Sequence, residues 1–204
     1  MQDLELKAAW DKRYSAPDFR FGTDPNEFLA AQLPILAPCG KRILLIGEGE
    51  GRNAIWLASH GAIATMVDIS PVGLAKAASR AASLNLPLTT IEADLAHWDF
   101  GDAAWDAIIA IFCHLPSAIR QPINRKIVDA LAPGGLYIAE SYTVGQLTRG
   151  TGGPSDPDML PSAAQLTTEL AGLEFLHCAE LTRNVVEGTA HSGLADVVQI
   201  IARK

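Results

Sequence analysis

The run Arg42-Ile43-Leu44-Leu45-Ile46-Gly47-Glu48-Gly49-Glu50-Gly51-Arg52-Asn53 decides the fold. Its apolar stretch, Ile43 to Ile46, has the length of a buried parallel strand, and three alternate glycines follow at once. A helix-like segment, Arg52 to His60, comes next. Strand, tight bend and helix start in that order make a ligand cradle. Glycine tolerates positive φ and has no Cβ, so a ligand can come close to the backbone. The helix start offers unpaired N–H groups and a positive dipole end, which suit a carboxylate or phosphate. The dinucleotide fingerprint G-x-G-x-x-G is not met. Arg52 stands where its last glycine would allow close helix–strand packing.

Beyond the loop, the apolar run Ala64 to Val67 ends in Asp68. An acid at the end of a second strand can accept hydrogen bonds from both hydroxyls of a ribose. Leu88 to Glu92 reads as a third strand, and A-D-L follows at Ala93 to Leu95. The G-x-G-x-G loop, Asp68 and Asp94, in this order, resemble the class I S-adenosylmethionine-dependent methyltransferases. Within them the chain is similar to the small bacterial branch that includes tellurite-resistance and thiopurine methyltransferase relatives. The resemblance covers nearly the whole chain. It departs at Leu45, where the family usually carries an acid two residues before the first glycine; Glu48 and Glu50 are the nearest charges that could replace it.

The resemblance implies a bound S-adenosyl-L-methionine. Gly47, Glu48, Gly49 and Gly51 would admit its backbone, with the helix N-terminus near its carboxylate. Asp68 would hold the ribose. Asp94 would accept from the adenine amino group, with Ile69 and Leu95 on the ring faces; a helix N-cap is the plainer role for Asp94. A Gly-rich turn that binds nothing is the plain alternative for the whole set.

The chain has 204 residues, 16 basic and 23 acidic, for a net charge of −7. This length fits one domain over residues 1–204, burying roughly 70% of the unfolded surface. An acidic chain without a Lys/Arg run is a poor nucleic-acid binder. Cys39, Cys113 and Cys178 are scattered, without C-x-x-C or a His cluster. No metal site is expected, and a reduced cytoplasm fits. The start, M-Q-D-L-E-L-K, carries no apolar signal core, and no apolar run has transmembrane length.

Residues 3–15 read as a helix with Leu6, Trp10 and Tyr14 on one face, leading into a turn-rich stretch with Phe19 and Phe21. This aromatic arm, residues 1–25, either docks on the sheet or forms a lid. Trp10 and Phe21 would cover the methionine end of the cofactor, as W-D-x-x-Y followed by F-G implies in this branch. Asn26 to Leu36 is expected to be one helix. Ser70 caps a helix from Pro71 to Asn85. Asp106 to Phe112 is a fourth, central strand, followed by a helix over Ile119 to Leu131 and a Pro-Gly-Gly turn into a fifth strand, Leu136 to Tyr142. Residues 143–161 are Gly/Pro-rich and read as a substrate lid or a passive surface loop. A helix over Gln165 to Gly172 precedes two strand-like runs, Glu174 to Val186 and Leu194 to Ala202, around E-G-T-A-H-S-G. The expected fold is α/β: a doubly wound, mostly parallel, seven-stranded Rossmann-like sheet ending in an antiparallel hairpin.

Phe112-Cys113-His114-Leu115-Pro116 follows the fourth strand, where the reacting methyl would lie, so Phe112 and Cys113 join the cofactor set. Cys113 and His114 are sequence neighbours on an extended chain and point opposite ways, which makes them a poor nucleophile–base pair. His114 is a candidate base or a structural histidine. In the hairpin, E-x-x-R-x-x-x-E-G-x-x-H-x-G resembles the substrate-side signature of this branch, with Arg183 as a candidate grip for an anionic acceptor and His191 as a candidate base. A solvated Arg–Glu network is the plain alternative. The reading is methyl transfer to a small molecule, with a soft S, Se or Te nucleophile as one option. A non-catalytic cofactor-binding module and a dinucleotide oxidoreductase are the competitors; Arg52 and the final hairpin oppose the latter.

Overall fold

A computed structural model describes residues 2–204. Of the expected 1–25 arm, Met1 lies outside the described residues. The elements run α1 (Gln2–Tyr14), α2 (Glu27–Ala31), α3 (Leu33–Leu36), β1 (Arg42–Ile46), α4 (Arg52–Ser59), β2 (Ile63–Asp68), α5 (Pro71–Ser83) and β3 (Thr89–Glu92). Then come β4 (Trp105–Ile111), α6 (Ser117–Ala130), β5 (Leu131–Tyr142), α7 (Ala163–Glu169), β6 (Glu174–Glu187) and β7 (His191–Arg203). They build one seven-stranded sheet of order β3-β2-β1-β4-β5-β7-β6. Neighbours from β3 to β5 pair in parallel, and β7 runs antiparallel to both β5 and β6.

Alternate residues of the central strands feed two cores, as the two-residue period of a strand requires. Ile43 and Leu45 of β1 pack with Leu57 of α4, Leu74 of α5 and Leu29 and Leu36 of α2 and α3. Leu44 and Ile46 face the other way, toward Ile123 and Ile127 of α6 and Leu166 of α7. All four β1 residues from Ile43 to Ile46 are buried, which explains the uninterrupted apolar run. Ser70 caps α5, its hydroxyl accepting from Gly73 N at 3.2 Å.

Three expectations are corrected. The single helix over Asn26 to Leu36 is two short helices parted at Gln32. Pro34 has no N–H to carry an α-helical ladder across the joint, and Gln32 N turns back to Leu29 O instead. Strand β5 begins at Leu131, earlier than expected, and runs through Pro-Gly-Gly. Lys204 ties this stretch to the chain end by exchanging main-chain bonds with Gly134 and Gly135. The hairpin strands continue to Glu187 and restart at His191, so only residues 188–190 turn. Residues 143–161 hold two 3-10 turns, Val144–Thr148 and Pro157–Met159. They are pinned by the buried Gln146, which donates to Thr151 Oγ1 and Gly152 O and accepts from Asp196 N.

Candidate cofactor and acceptor site

Strand order reverses between β1 and β4, the switch point beyond whose carboxyl ends ligands of such sheets lie. Gly47 leaves β1 on one side, and Phe112 and Cys113 leave β4 on the other. They are in contact: a Cβ on Gly47 would lie 2.5 Å from Cys113 Sγ. Burial, with the charges of Asp68 and Glu48, pushes the Cys113 thiol up to about 12, so it stays protonated and fills space. Phe112 holds φ +52°, a strained conformation for a bulky residue.

The loop glycines all adopt positive φ: 60° at Gly47, 59° at Gly49 and 80° at Gly51. Gly49 N donates to Asp68 Oδ2 at 2.7 Å, and Ser70 N donates to Asp68 Oδ1 at 2.9 Å. Loop and acid are thus one unit. Burial raises the Asp68 pKa, and main-chain donors from Ser70, Gly49 and Ile69 oppose the rise. A carboxylate has about four acceptor positions, so Asp68 keeps capacity for further donors. The cradle therefore fits a nucleoside: bare backbone at Gly47 to Gly51 and a desolvated acceptor facing it.

The helix start is not free, which corrects one expectation. Glu48 Oε1 accepts from Asn53 N at 2.7 Å and Ala54 N at 3.1 Å, and Glu48 Oε2 accepts from Asn53 Nδ2 at 3.1 Å. The loop's own carboxylate caps α4 and takes the anion position assigned above to the cofactor's carboxylate. Burial raises the Glu48 pKa, opposed by Asn53 and Arg52.

The N-terminal arm lies across the loop. A Cβ on Gly49 would collide with Tyr14 Oη, and one on Gly73 would come within 2.9 Å of Tyr14 Cδ2. Tyr14, in the same sequence motif as Trp10, is the residue that touches the glycines. Half-buried Trp10 stacks on Tyr14 at 5.4 Å. The arm is held at several points. Ser70 Oγ donates to Asp11 Oδ1 at 2.5 Å, and Lys76 Nζ donates to Ala16 O and Asp18 O and pairs with Glu50. Arg20 N donates to Glu50 Oε2 at 2.7 Å, and Thr189 N reaches Arg20 O. Phe21 thereby meets His191, with ring centroids 4.7 Å apart.

At the position expected to face adenine, Asp94 Oδ1 accepts from Ala96 N at 2.9 Å and Oδ2 contacts His97 Nδ1 at 2.8 Å. The carboxylate caps the turn after β3. Leu95 is buried in the core on the α6 side, and Ile69 is half-buried beside Asp68.

Beyond β4 and β5, Phe112 stacks on Tyr142 at 4.5 Å, and His191 meets both edge-on at 5.1 and 5.2 Å. Gly152 and Gly153 roof this cluster. A Cβ on either would come within 2.7 Å of His191 Cδ2 or Tyr142 Cδ2, respectively. His114 is corrected as a base. Its Nε2 accepts from Tyr142 N at 3.1 Å, and burial with His191 nearby holds its pKa down at about 3. It is a strut that fixes the end of β5.

Arg183 is corrected as an anion grip. Its Nε and Nη2 bind both oxygens of Glu140 at 2.8 and 2.6 Å, and Nη1 reaches Glu27 and Asn184 O. Glu140 is fully buried and also accepts from Asn26 Nδ2 and Gln199 Nε2, each at 2.6 Å. Asn26 Nδ2 continues to Glu187, which pairs with Arg52 at 2.5 Å, and Asn26 N donates to Asn53 Oδ1. A buried polar network thus joins the glycine-loop helix, α2 and the hairpin. Asn26, Asn53, Glu140 and Gln199 were not singled out in the sequence. Glu180 caps α7 through Ala163 N.

This cradle sits inside a recognisable unit. Residues 43–135 match the family model of a methyltransferase domain. Two curated methyltransferases are similar. One is the 2-heptyl-1-hydroxyquinolin-4(1H)-one methyltransferase of Mycobacteroides abscessus, 29% identical over 57% of the chain and 54% of the relative. The other is the demethylmenaquinone methyltransferase of Thermus thermophilus, 30% identical over 60% of the chain and 56% of the relative. The match spans about half the length of these relatives. Among solved structures, the N-methyltransferase NodS of Bradyrhizobium japonicum with S-adenosyl-L-homocysteine superposes with a TM-score of 0.72 at 18% identity, covering 97% of each chain. The fold is that of class I S-adenosylmethionine-dependent methyltransferases.

Proposed function

We propose that this protein is an S-adenosylmethionine-dependent methyltransferase acting on a small molecule, with residues 1–204 working as one domain. The Gly49–Asp68 unit at the switch point carries this reading. Bound S-adenosylmethionine supplies an activated methyl group on a sulfonium. Gly47, Glu48, Gly49 and Gly51 form its bed, and Asp68 holds the ribose hydroxyls. Ile69, Asp94 and Leu95 surround the adenine, and Phe112 and Cys113 line the methyl end. Tyr14, Trp10 and Phe21 cover it and exclude water. Residues 143–161 act as the lid on the acceptor side through Gly152 and Gly153.

The acceptor lies against Phe112, Tyr142 and His191, and His191 takes its proton. Glu187 orients that imidazole: its Oε2 stands 3.7 Å from His191 Nδ1 and is itself fixed by Arg52. A carboxylate on one ring nitrogen selects the tautomer that leaves the other free to accept. We assign the chain to the branch with tellurite-resistance and thiopurine relatives on W-D-x-x-Y followed by F-G and on the hairpin signature. Both curated relatives are named for flat ring compounds, which supports a flat acceptor. The test is formation of S-adenosyl-L-homocysteine from S-adenosylmethionine across a panel of hydroxylated and thiolated ring compounds. Turnover that falls in Asp68→Ala and His191→Asn supports the reading. A panel without turnover, for a protein that binds the cofactor, favours the non-catalytic module.

A further inference from the structure

The acceptor wall combines flat apolar surface with one unanswered polar atom. Tyr142 Oη is buried without a hydrogen-bond partner, and the whole Tyr142 side chain is shielded from solvent, whereas His191 Nδ1 faces Glu187. Buried polar groups are nearly always paired, because an unmade bond costs the group its desolvation. An orphan hydroxyl in this aromatic cluster therefore marks a place for a ligand's polar atom.

The charge around this wall leaves an anion no partner among the described residues. Glu140 and Glu187 act on Tyr142 from one side of the balance and Arg183 and Arg52 from the other. Both cations are already committed: Arg52 to Glu187 and Arg183 to Glu140. Arg20 stands at the exposed rim, its guanidinium 5.9 Å from the Phe21 ring centroid. An oxyanion seated at this wall would meet carboxylates already paired and, among the described residues, no uncommitted buried cation to pair with it.

We infer that the acceptor is a neutral, flat ring compound, seated against the Phe112, Tyr142 and His191 cluster, whose hydroxyl or ring N–H is recognised by Tyr142 Oη. Carboxylated rings and inorganic oxyanions such as tellurite are excluded. This deepens the methyltransferase reading and rests on it.

The test is calorimetric and needs no turnover. Full-length protein is first titrated with S-adenosyl-L-homocysteine. The saturated complex is then titrated at neutral pH with 4-hydroxyquinoline, quinoline, 4-hydroxyquinoline-2-carboxylate and tellurite. The neutral hydroxylated ring should bind at least about tenfold more tightly than its carboxylate, with no heat from tellurite. Tyr142→Phe should weaken 4-hydroxyquinoline roughly five- to tenfold, the worth of one neutral hydrogen bond, and leave quinoline within about twofold. Equal or tighter binding of the carboxylate or of tellurite overturns the inference. Equal loss for both neutral rings in Tyr142→Phe, or no binding of either, does so too. The wild-type comparison stands even if the variant fails to fold. Absence of heat with S-adenosyl-L-homocysteine itself removes the underlying reading, and this inference with it.

Discussion

Replacing Asp68 by alanine separates two roles of one carboxylate. In the folded chain it accepts from Gly49 N at 2.7 Å and from Ser70 N at 2.9 Å. Hydrogen bonds to a charged acceptor are worth about 1.5–3 kcal/mol each. Losing both is offset in part, because a buried carboxylate no longer has to be desolvated. A net loss of about 2–4 kcal/mol of stability follows. For 204 residues, each kcal/mol moves the melting temperature by about 2–4 °C, giving a drop of about 4–16 °C. The same acid is assigned the ribose. Removing one charge-assisted contact of about 1.5–3 kcal/mol weakens cofactor binding by about one to two orders of magnitude. Scanning calorimetry reads the first effect. Titration with S-adenosyl-L-homocysteine, well below both melting temperatures, reads the second. Asp68→Asn keeps the shape and should fall between the two. An unchanged melting temperature together with unchanged affinity would refute the reasoning, since neither the loop nor the nucleoside would then depend on this carboxylate.

Other outcomes follow from the same geometry. Gly49→Ala should destabilise by about 2–5 kcal/mol, from left-handed strain plus collision with Tyr14; combining it with Tyr14→Phe should recover about 1 kcal/mol in urea unfolding, a coupling that a non-contacting pair would not show. Arg183→Ala should cost about 3–5 kcal/mol by leaving Glu140 buried and unpaired, read by chemical denaturation; a purely kinetic effect would return Arg183 to the acceptor. The depressed His114 pKa means that, between its ordinary 6.5 and about 3, the unfolded chain binds a proton that the folded chain does not. Stability should therefore fall as pH drops from 6.5 toward 3, and His114→Gln should flatten that slope in urea midpoints. Glu187 is held below the usual carboxylate range, burial opposing but His191 and Arg52 prevailing. Its contribution should vanish as pH falls below about 4.5, and earlier loss of the hairpin's amide protection in Glu187→Gln at pH 7 would match.

Features with a local cause were legible in the sequence. The glycine loop, the Ser70 cap and the buried strands each follow from neighbours a few residues away. The seven-stranded sheet with its terminal hairpin was read from alternation and apolar runs in the same way. The site was harder because its partners are remote in the chain. Glu140 reads as a surface acid in isolation, yet it meets Asn26 across 114 positions and Arg183 across 43. That meeting turned an apparent anion grip into a committed ion pair. Glu48 was visible as a loop charge, but its reach back to Asn53 depends on the bend made by Gly49 and Gly51. His114 looked like a free imidazole until the end of β5 delivered Tyr142 N to it. Tyr14 was in view beside Trp10, and only the helix axis of α1 determines which ring meets the glycines.

The central claim is that the Gly47–Gly51 bend facing Asp68 holds an adenosyl sulfonium cofactor. Calorimetric titration of the unmodified protein with S-adenosyl-L-homocysteine, beside NAD under the same conditions, tests it most directly. The account predicts one saturable site for S-adenosyl-L-homocysteine and no heat with NAD. Silence with S-adenosyl-L-homocysteine at millimolar dose, or tighter binding of NAD, would contradict it.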